Sequence, residues 1–305
     1  MFSFFMRGNN KIKIPFEKTP LIPQEASNSA YKILQFLREK NVSNTSLKYL
    51  TIRHSNYENK SLIGIYTSDK NFLENNNICI KELDNLLQNG IKGIRVSYTD
   101  ERTPAAQTHD IIYQTQNLEL KEKISDKEFI YHYDHFFQIN TSAFEKTIED
   151  IKKYLSTNQQ DSKKKTLVDL YSGVGVIGIS LAENFKKIVG VELSPNSKIY
   201  FQKNTVNNNI NNYEFLETDA DNAVKEVEKA DTLILDPPRE GIGKKVCDKI
   251  KTYPPETIIY LSCNYKSQVE DIDNFRHLYN IKKIITYDFF PNTPHIEVLT
   301  ILEKK

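Results

Sequence analysis

Cysteine is scarce in this chain: Cys79, Cys247 and Cys263 are the only three among 305 residues. Three scattered thiols are too few for a disulfide framework or a four-cysteine metal site. Their scarcity points to a reducing, cytoplasmic setting. Long apolar runs are missing as well. No window approaches the ~18 consecutive apolar residues of a membrane-spanning helix. The start, MFSFFMRGNN, is apolar only as far as Met6 and lacks a basic opening, so no secretory signal is expected. Net charge is almost absent, with 41 Lys and Arg against 40 Asp and Glu, a balance of +1. That does not advertise a polyanionic partner. It does not exclude one either, because a basic face can sit opposite an acidic one. No internal repeat is visible, and 39% hydrophobic with 27% charged residues is a globular balance.

The length predicts two domains. Residues 1–128 read as a smaller, accessory α+β region, to which the family resemblance drawn below assigns RNA-binding contacts. Ala26 to Lys40 places Ala30, Ile33, Leu34 and Leu37 at helical spacing. LKYLTIRH and SLIGIYTS, separated by SNYENK, read as a hairpin. A helix, IKELDNLLQNG, stops at Gly90, and IKGIRVSYT and DIIYQTQ read as strands. The charged run LELKEKISDKE leads out of this half. Residues 129–305 change character. From Lys163 onward strands (TLVDLYSG, KIVGVEL, EFLETD, DTLILDPP, TIIYLSCN) alternate with helices (VIGISLAENF, SKIYFQKNTVNNN, GKKVCDKIKTY). That alternation predicts an α/β fold with a parallel, doubly wound sheet, whose ligands bind at the carboxyl ends of the strands. The asparagine runs 75–77 and 207–209 read as loops or solvated helix ends.

The polar motifs fall at those strand ends. Asp169-Leu-Tyr-Ser-Gly-Val-Gly175 joins the first strand to the first helix, and its glycines allow a sharp turn and close approach to a ligand. Such a segment alone could be a simple turn. Nineteen residues after Gly173, however, Glu192 ends the next strand, placed to accept hydrogen bonds from the ribose hydroxyls of an adenosine. Gly173, Gly175 and Gly178 also spell G-x-G-x-x-G, so a nicotinamide dinucleotide must be weighed. Against it, Asp236-Pro-Pro-Arg239 follows a later strand, and an acid before Pro-Pro at that place is what methyltransferases use beside the sulfonium of S-adenosylmethionine. Asp219 ends the intervening strand, where an acid could meet an adenine amino group or simply be a solvated loop acid.

Cys263, in Ser262-Cys263-Asn264, lies at the polar exit of a strand rather than inside it, unlike a buried structural cysteine. Cys79, in a strand-like run, and Cys247, in a helix, read as structural. Near the C-terminus His295 and Glu297 precede the apolar strand VLTIL. They could belong to a solvated turn. The apolar turn Phe289-Phe-Pro…Pro-His would instead raise a carboxylate's pKa and suit it to proton transfer.

These segments resemble the RNA (uracil-5-)-methyltransferase family, the enzymes that make 5-methyluridine in tRNA and 23S rRNA. The family joins Asp-Pro-Pro-Arg-x-Gly to Tyr-x-Ser-Cys-Asn through a fixed gap. Here Asp236 to Gly241 is followed by 16 residues and then Ile258 to Asn264. The second family signature, Asp-x-Phe-Pro followed by His-x-Glu, matches Asp288 to Glu297. Phe136-Phe-Gln-Ile-Asn140 before a helix resembles the cofactor-gating segment, and Thr51-Ile-Arg-His resembles part of the central region. The resemblance implies a Rossmann-like methyltransferase domain acting on RNA (tRNA or 23S rRNA) with S-adenosylmethionine. It implies Cys263 as nucleophile, with a pKa lowered by its setting, and Glu297 as base. Gln138, Tyr171, Glu192 and Asp236 would contact the cofactor. No metal or iron–sulfur centre is expected, and a monomer is.

Departures are visible. Tyr265 stands where the family usually has Pro, which changes loop rigidity, and Val176 lies near an Asn position without a clear counterpart. The N-terminal β-barrel and the iron–sulfur cysteines are missing, and Pro15-Phe-Glu-Lys-Thr-Pro20 resembles the segment of the last such cysteine without one. The chain thus reads as a minimal member or a truncated reading frame. The other readings are a methyltransferase of another substrate such as cytosine or protein, a non-catalytic RNA-binding relative, and a nicotinamide oxidoreductase. Intact Cys263 and Glu297 speak against the non-catalytic reading. Asp-Pro-Pro-Arg rather than Asn-Pro-Pro-Tyr speaks against an exocyclic amine.

Overall fold

The computed structural model describes residues 22–305 except 89, 101, 104–106 and 159–161. It also describes the backbone of two paired antiparallel strands, β1 (Phe2–Met6) and β2 (Asn9–Phe16). Residues 17–20 of the Pro15–Pro20 segment lie outside the described residues. The contacts divide the chain into two units, Met1–Glu122 and Lys123–Lys305.

The first unit continues with α1 (Gln24–Glu39), β3 (Leu47–Ser55), β4 (Lys60–Thr67), α2 (Phe72–Asn75), α3 (Ile80–Asn85), β5 (Ile91–Tyr98), β6 (Asp110–Gln114) and β7 (Glu119–Ile124). Ala26, Ala30, Ile33 and Leu37 form one stripe of α1 and are all buried, as helical periodicity requires. β3 and β4 are the hairpin read from the sequence, closing at Ser55↔Lys60, with Asn59 in the left-handed region at φ 53°. β4 pairs parallel with β5, and β5 antiparallel with β6. Cys79 is not in a strand. It is exposed, and its backbone N–H donates to Glu82 Oε2 at 3.0 Å in a capping box at the start of α3. The charged run at 118–128 is also structured. Leu118, Leu120 and Ile124 alternate inward, and buried Glu122 accepts from Ser55 Oγ (2.9 Å) and the Tyr57 N–H (3.0 Å).

The second unit begins with β8 (Lys127–His132) and α4 (Thr141–Asn158). There follow β9 (Thr166–Leu170), α5 (Val176–Ser180), β10 (Lys187–Glu192), α6 (Ser197–Asn207), β11 (Tyr213–Glu217), α7 (Val224–Val227), β12 (Thr232–Leu235), α8 (Lys244–Thr252), β13 (Thr257–Ser262), α9 (Tyr265–Asp273), β14 (Tyr279–Tyr287) and β15 (Glu297–Lys304). Seven strands form one sheet in the order β11-β10-β9-β12-β13-β15-β14. The pairs from β11 to β13 are parallel, whereas β15 is antiparallel to both β13 and β14. The sheet is therefore mixed, not wholly parallel. The cause is connection length. α9 provides the crossover that lets β14 run parallel to β13, but only a turn joins β14 to β15, and a turn returns the chain antiparallel. β15 slots between the two, and its first residue lands beside the last of β13.

Local packing fixes the glycine-loop end of this sheet. A Cβ on Gly178 would come within 2.4 Å of the Tyr213 ring. Tyr213 is itself held by a 2.8 Å bond from its hydroxyl to Asp169 Oδ2. The third glycine of the G-x-G-x-x-G spelling thus serves helix–strand packing. Gly178→Ala is expected to destabilise the protein by about 2 kcal/mol through overpacking; a urea midpoint unchanged from the wild type would contradict this. Asn207 and Asn209 are exposed at the end of α6, as read from the sequence, but Asn208 and the preceding Asn204 are not simply solvated. Asn204 donates to Val174 O and Ile130 O (both 3.1 Å), and Asn208 donates to Glu128 O (2.7 Å), so one helix face holds the β8 backbone.

Candidate active site

The carboxyl ends of β9 and β10 form the first half of the site. After β9 the chain turns sharply, with Tyr171 at φ 64° and Gly173 at φ 55°. A left-handed tyrosine is strained and marks an over-determined backbone; here Ser172 N–H donates to Val191 O at 3.0 Å. Glu192 ties the turn down, accepting from Gly173 N–H (2.9 Å) and Ser194 N–H (2.7 Å). A Cβ on Gly173 would meet nothing within 4 Å, so the loop faces open space. Beneath it lies Asp169, only 1% exposed, which burial pushes up to about 7 despite bonds from Tyr213 and the Gly178 N–H (3.2 Å).

The ends of β12, β13 and β15 form the second half. The Asp236–Gly241 loop and the Ser262–Asn264 segment are stitched together: Asn264 Nδ2 and Ser267 Oγ donate to Arg239 O at 2.8 and 3.1 Å. The Arg239 guanidinium reaches His295 Nδ1 at 3.4 Å. The Ser262↔Val298 pairing places Cys263 one register step on, opposite Glu297. Gln268, buried on α9, holds this seam by donating to Tyr260 O (3.0 Å) and Val298 O (3.1 Å) and accepting from Thr300 Oγ1 (3.1 Å). Sequence reasoning passed over Gln268, which no motif singles out.

Charge decides what this site prefers. Burial pushes Glu297 up to about 7. Residues 291–296 of the turn before it are exposed, whereas Phe289 at the start of that turn is buried. Loss of water raises Asp236 well above the usual carboxylate range, and Glu297 and Asp169 add to this. Cys263 is half-buried, and its thiol is raised, not lowered as its expected role implied. Burial and the Glu297 carboxylate outweigh Arg239, which pulls the other way. Asp169, Glu192, Asp236 and Glu297 thus make a carboxylate-rich edge that favours a cation. A pyrophosphate is ill-matched to it, the more so because the Gly173 N–H already donates to Glu192. That speaks against the nicotinamide reading.

The remaining sequence candidates separate clearly. Gln138 is buried in the segment between β8 and α4. That segment is anchored at one end by His135 Nε2 and Pro195 O (3.1 Å) and at the other by Asn140 Nδ2 donating to Phe289 O (3.3 Å). It therefore runs from the β10 loop to the turn before Glu297. Asp219 accepts from Asn222 N–H (2.8 Å) and Nδ2 (2.6 Å), one bond on each oxygen. Cys247 sits in the core. Among the described residues no group of three or more His, Cys, Asp or Glu is placed to hold a metal ion, and no helix is long and apolar enough to cross a membrane.

The fold is a Rossmann-like methyltransferase fold. It is shared with the crystal structure of Pyrococcus abyssi tRNA (uracil-54, C5)-methyltransferase in complex with S-adenosyl-L-homocysteine, at a TM-score of 0.75 and 21% identity over 96% of this chain and 71% of that one. The sequence matches a family described as tRNA (Uracil-5-)-methyltransferase over residues 10–305. The chain belongs to that family. An uncharacterized RNA methyltransferase of Nanoarchaeum equitans is 28% identical over 298 residues, 95% of this chain and 64% of its own length. The tRNA (uracil(54)-C(5))-methyltransferase of Pyrococcus furiosus is 31% identical over 188 residues, 61% of this chain and 42% of its own length. The chain spans less than two thirds of the length of either relative.

Proposed function

We propose that this chain methylates carbon 5 of a uridine in RNA through a transient bond between Cys263 and carbon 6 of the base. The observation that carries the reading is the seam of β13 and β15, whose register, continued one step past Ser262↔Val298, sets the Cys263 thiol opposite the Glu297 carboxylate. Carbon 5 of uracil is a poor nucleophile. Addition of the Cys263 thiolate to carbon 6 moves electron density onto carbon 5 and the neighbouring carbonyl. S-adenosylmethionine, when bound, supplies an electrophilic methyl group on a sulfonium. Glu297 then takes the carbon 5 proton, the electrons of that C–H bond re-form the ring double bond, and the Cys263 thiolate leaves.

The residues present suit that cofactor. Glu192 has lone pairs left for ribose hydroxyls after its two backbone bonds. Asp236 offers a carboxylate to a cationic sulfonium, and Tyr171 and Gln138 border the same loops. Uridine 54 of tRNA, named for both Pyrococcus relatives, is the substrate this reading favours over 23S rRNA. The test uses tRNA and 23S rRNA transcripts substituted with 5-fluorouridine. A base cannot remove fluorine as it removes a proton, so the adduct should persist and migrate with tRNA on a denaturing gel. An adduct with 23S rRNA alone would move the substrate. No adduct with either would overturn the reading.

A further inference from the structure

We infer that Tyr265 is a stacking platform for an unpaired base flanking the target uridine, and that the apolar groove behind it seats that base. The inference rests on the uridine reading above. Tyr265 is the second residue after Cys263 and is 50% exposed, whereas Tyr260, Tyr279 and Tyr287 nearby in sequence are buried. Its placement is rigid. Asn264 Oδ1 accepts from the Lys266 N–H (3.3 Å) and caps α9, while Asn264 Nδ2 holds Arg239 O. The start of α9 is thereby fixed relative to the thiol.

Behind Tyr265 runs a groove of ≈ 480 Å³, walled by Val269 and Ile272 of α9, Ile284 of β14, and Ile296 and Val298 flanking Glu297. Ile296 and Val298 alternate with Glu297, so the groove lies on the α9 face of the sheet and reaches the site only through Tyr265, two residues from Cys263. Val269 and Ile284 are more than half exposed, and contiguous exposed apolar side chains mark a contact surface. The size suits a flat ring system. Arg276, shared with Asp273 at 3.2 Å, lines the groove and the exposed Lys266 follows Tyr265 in the chain, cations that suit a strand with phosphates. A base must leave its stack before its carbon 6 can be attacked, and its neighbours then lose a stacking partner. Aromatic side chains replace that partner in single-stranded recognition.

Steady-state methylation of a tRNA transcript tests this. Tyr265→Ala should raise KM for RNA by on the order of 10-fold with kcat changed by less than about 2-fold, and Tyr265→Phe should restore it. Transcripts made abasic at one or the other nucleotide flanking the target read the same contact without any substitution. One of them should raise the wild-type KM comparably and leave Tyr265→Ala unaffected. An unchanged KM in Tyr265→Ala, or abasic losses equal in both proteins, would overturn the proposal. The 5-fluorouridine adduct separates the two failures. Adduct formation with an unchanged KM removes only the stacking role, whereas no adduct removes the uridine reading and the stacking role with it.

Discussion

Cys263→Ala is expected to abolish methyl transfer, by on the order of 10⁴-fold or more, and to abolish the 5-fluorouridine adduct. Nothing else in the seam can add to carbon 6. Cys247 lies in the core with its thiol pushed up to about 11, and Cys79 is in the other unit. Stabilisation by S-adenosylhomocysteine in a thermal melt should survive, because Glu192, Asp236 and the glycine loop are untouched. The raised Cys263 thiol adds a pH signature. Without ligands, burial and Glu297 outweigh Arg239, so little thiolate exists at neutral pH and the rate should climb as pH rises. Radiolabelled methyl transfer measures both effects. Residual turnover in Cys263→Ala within 10²-fold of the wild type would remove the covalent mechanism.

Glu297→Gln is expected to lower turnover by about 10²–10⁴-fold and to accumulate methylated adduct on unmodified RNA. The thiol still adds, but no group takes the carbon 5 proton and the elimination stalls. The wild-type rate should also fall below pH 7, since Glu297, at about 7, must be ionised to accept that proton. The stability linkage has the opposite sign. Its folded value lies above the unfolded 4.5, so the native state holds the proton more tightly. The resulting stability is full below the unfolded value and is lost as pH rises through about 7, a change on the order of 3 kcal/mol. The amide has no ionisation to suppress. Glu297→Gln should therefore unfold at higher urea than the wild type at pH 8, with the gap closing at pH 5. Normal turnover without adduct would assign the proton to another group.

Much of this was legible in the one-dimensional pattern. The α1 stripe, the β3–β4 hairpin and the β9–β13 alternation follow from periodicities that burial imposes locally. The Asp-Pro-Pro-Arg, Ser-Cys-Asn and His-x-Glu segments are short enough to read as letters. Other features were hidden. The alternation of β7 is masked by charges, one of which, Glu122, is buried and satisfied by distant partners. Asn204 and Asn208 look like solvent residues until the β8 backbone is beside them.

By itself the sequence named the candidate residues for the chemistry and put them at strand ends, because residue type and local period are legible there. Only the tertiary structure decided how they meet. Insertion of β15 between β13 and β14 brings Glu297 opposite Cys263, a pairing across more than thirty residues that no local spacing encodes. The same burial then sets their acidities, raising the thiol that its expected role wanted lowered and raising the carboxylate to where it can exchange a proton near neutral pH. Desolvation and the field of neighbouring charges depend on three-dimensional surroundings, and for that reason they could be found only there.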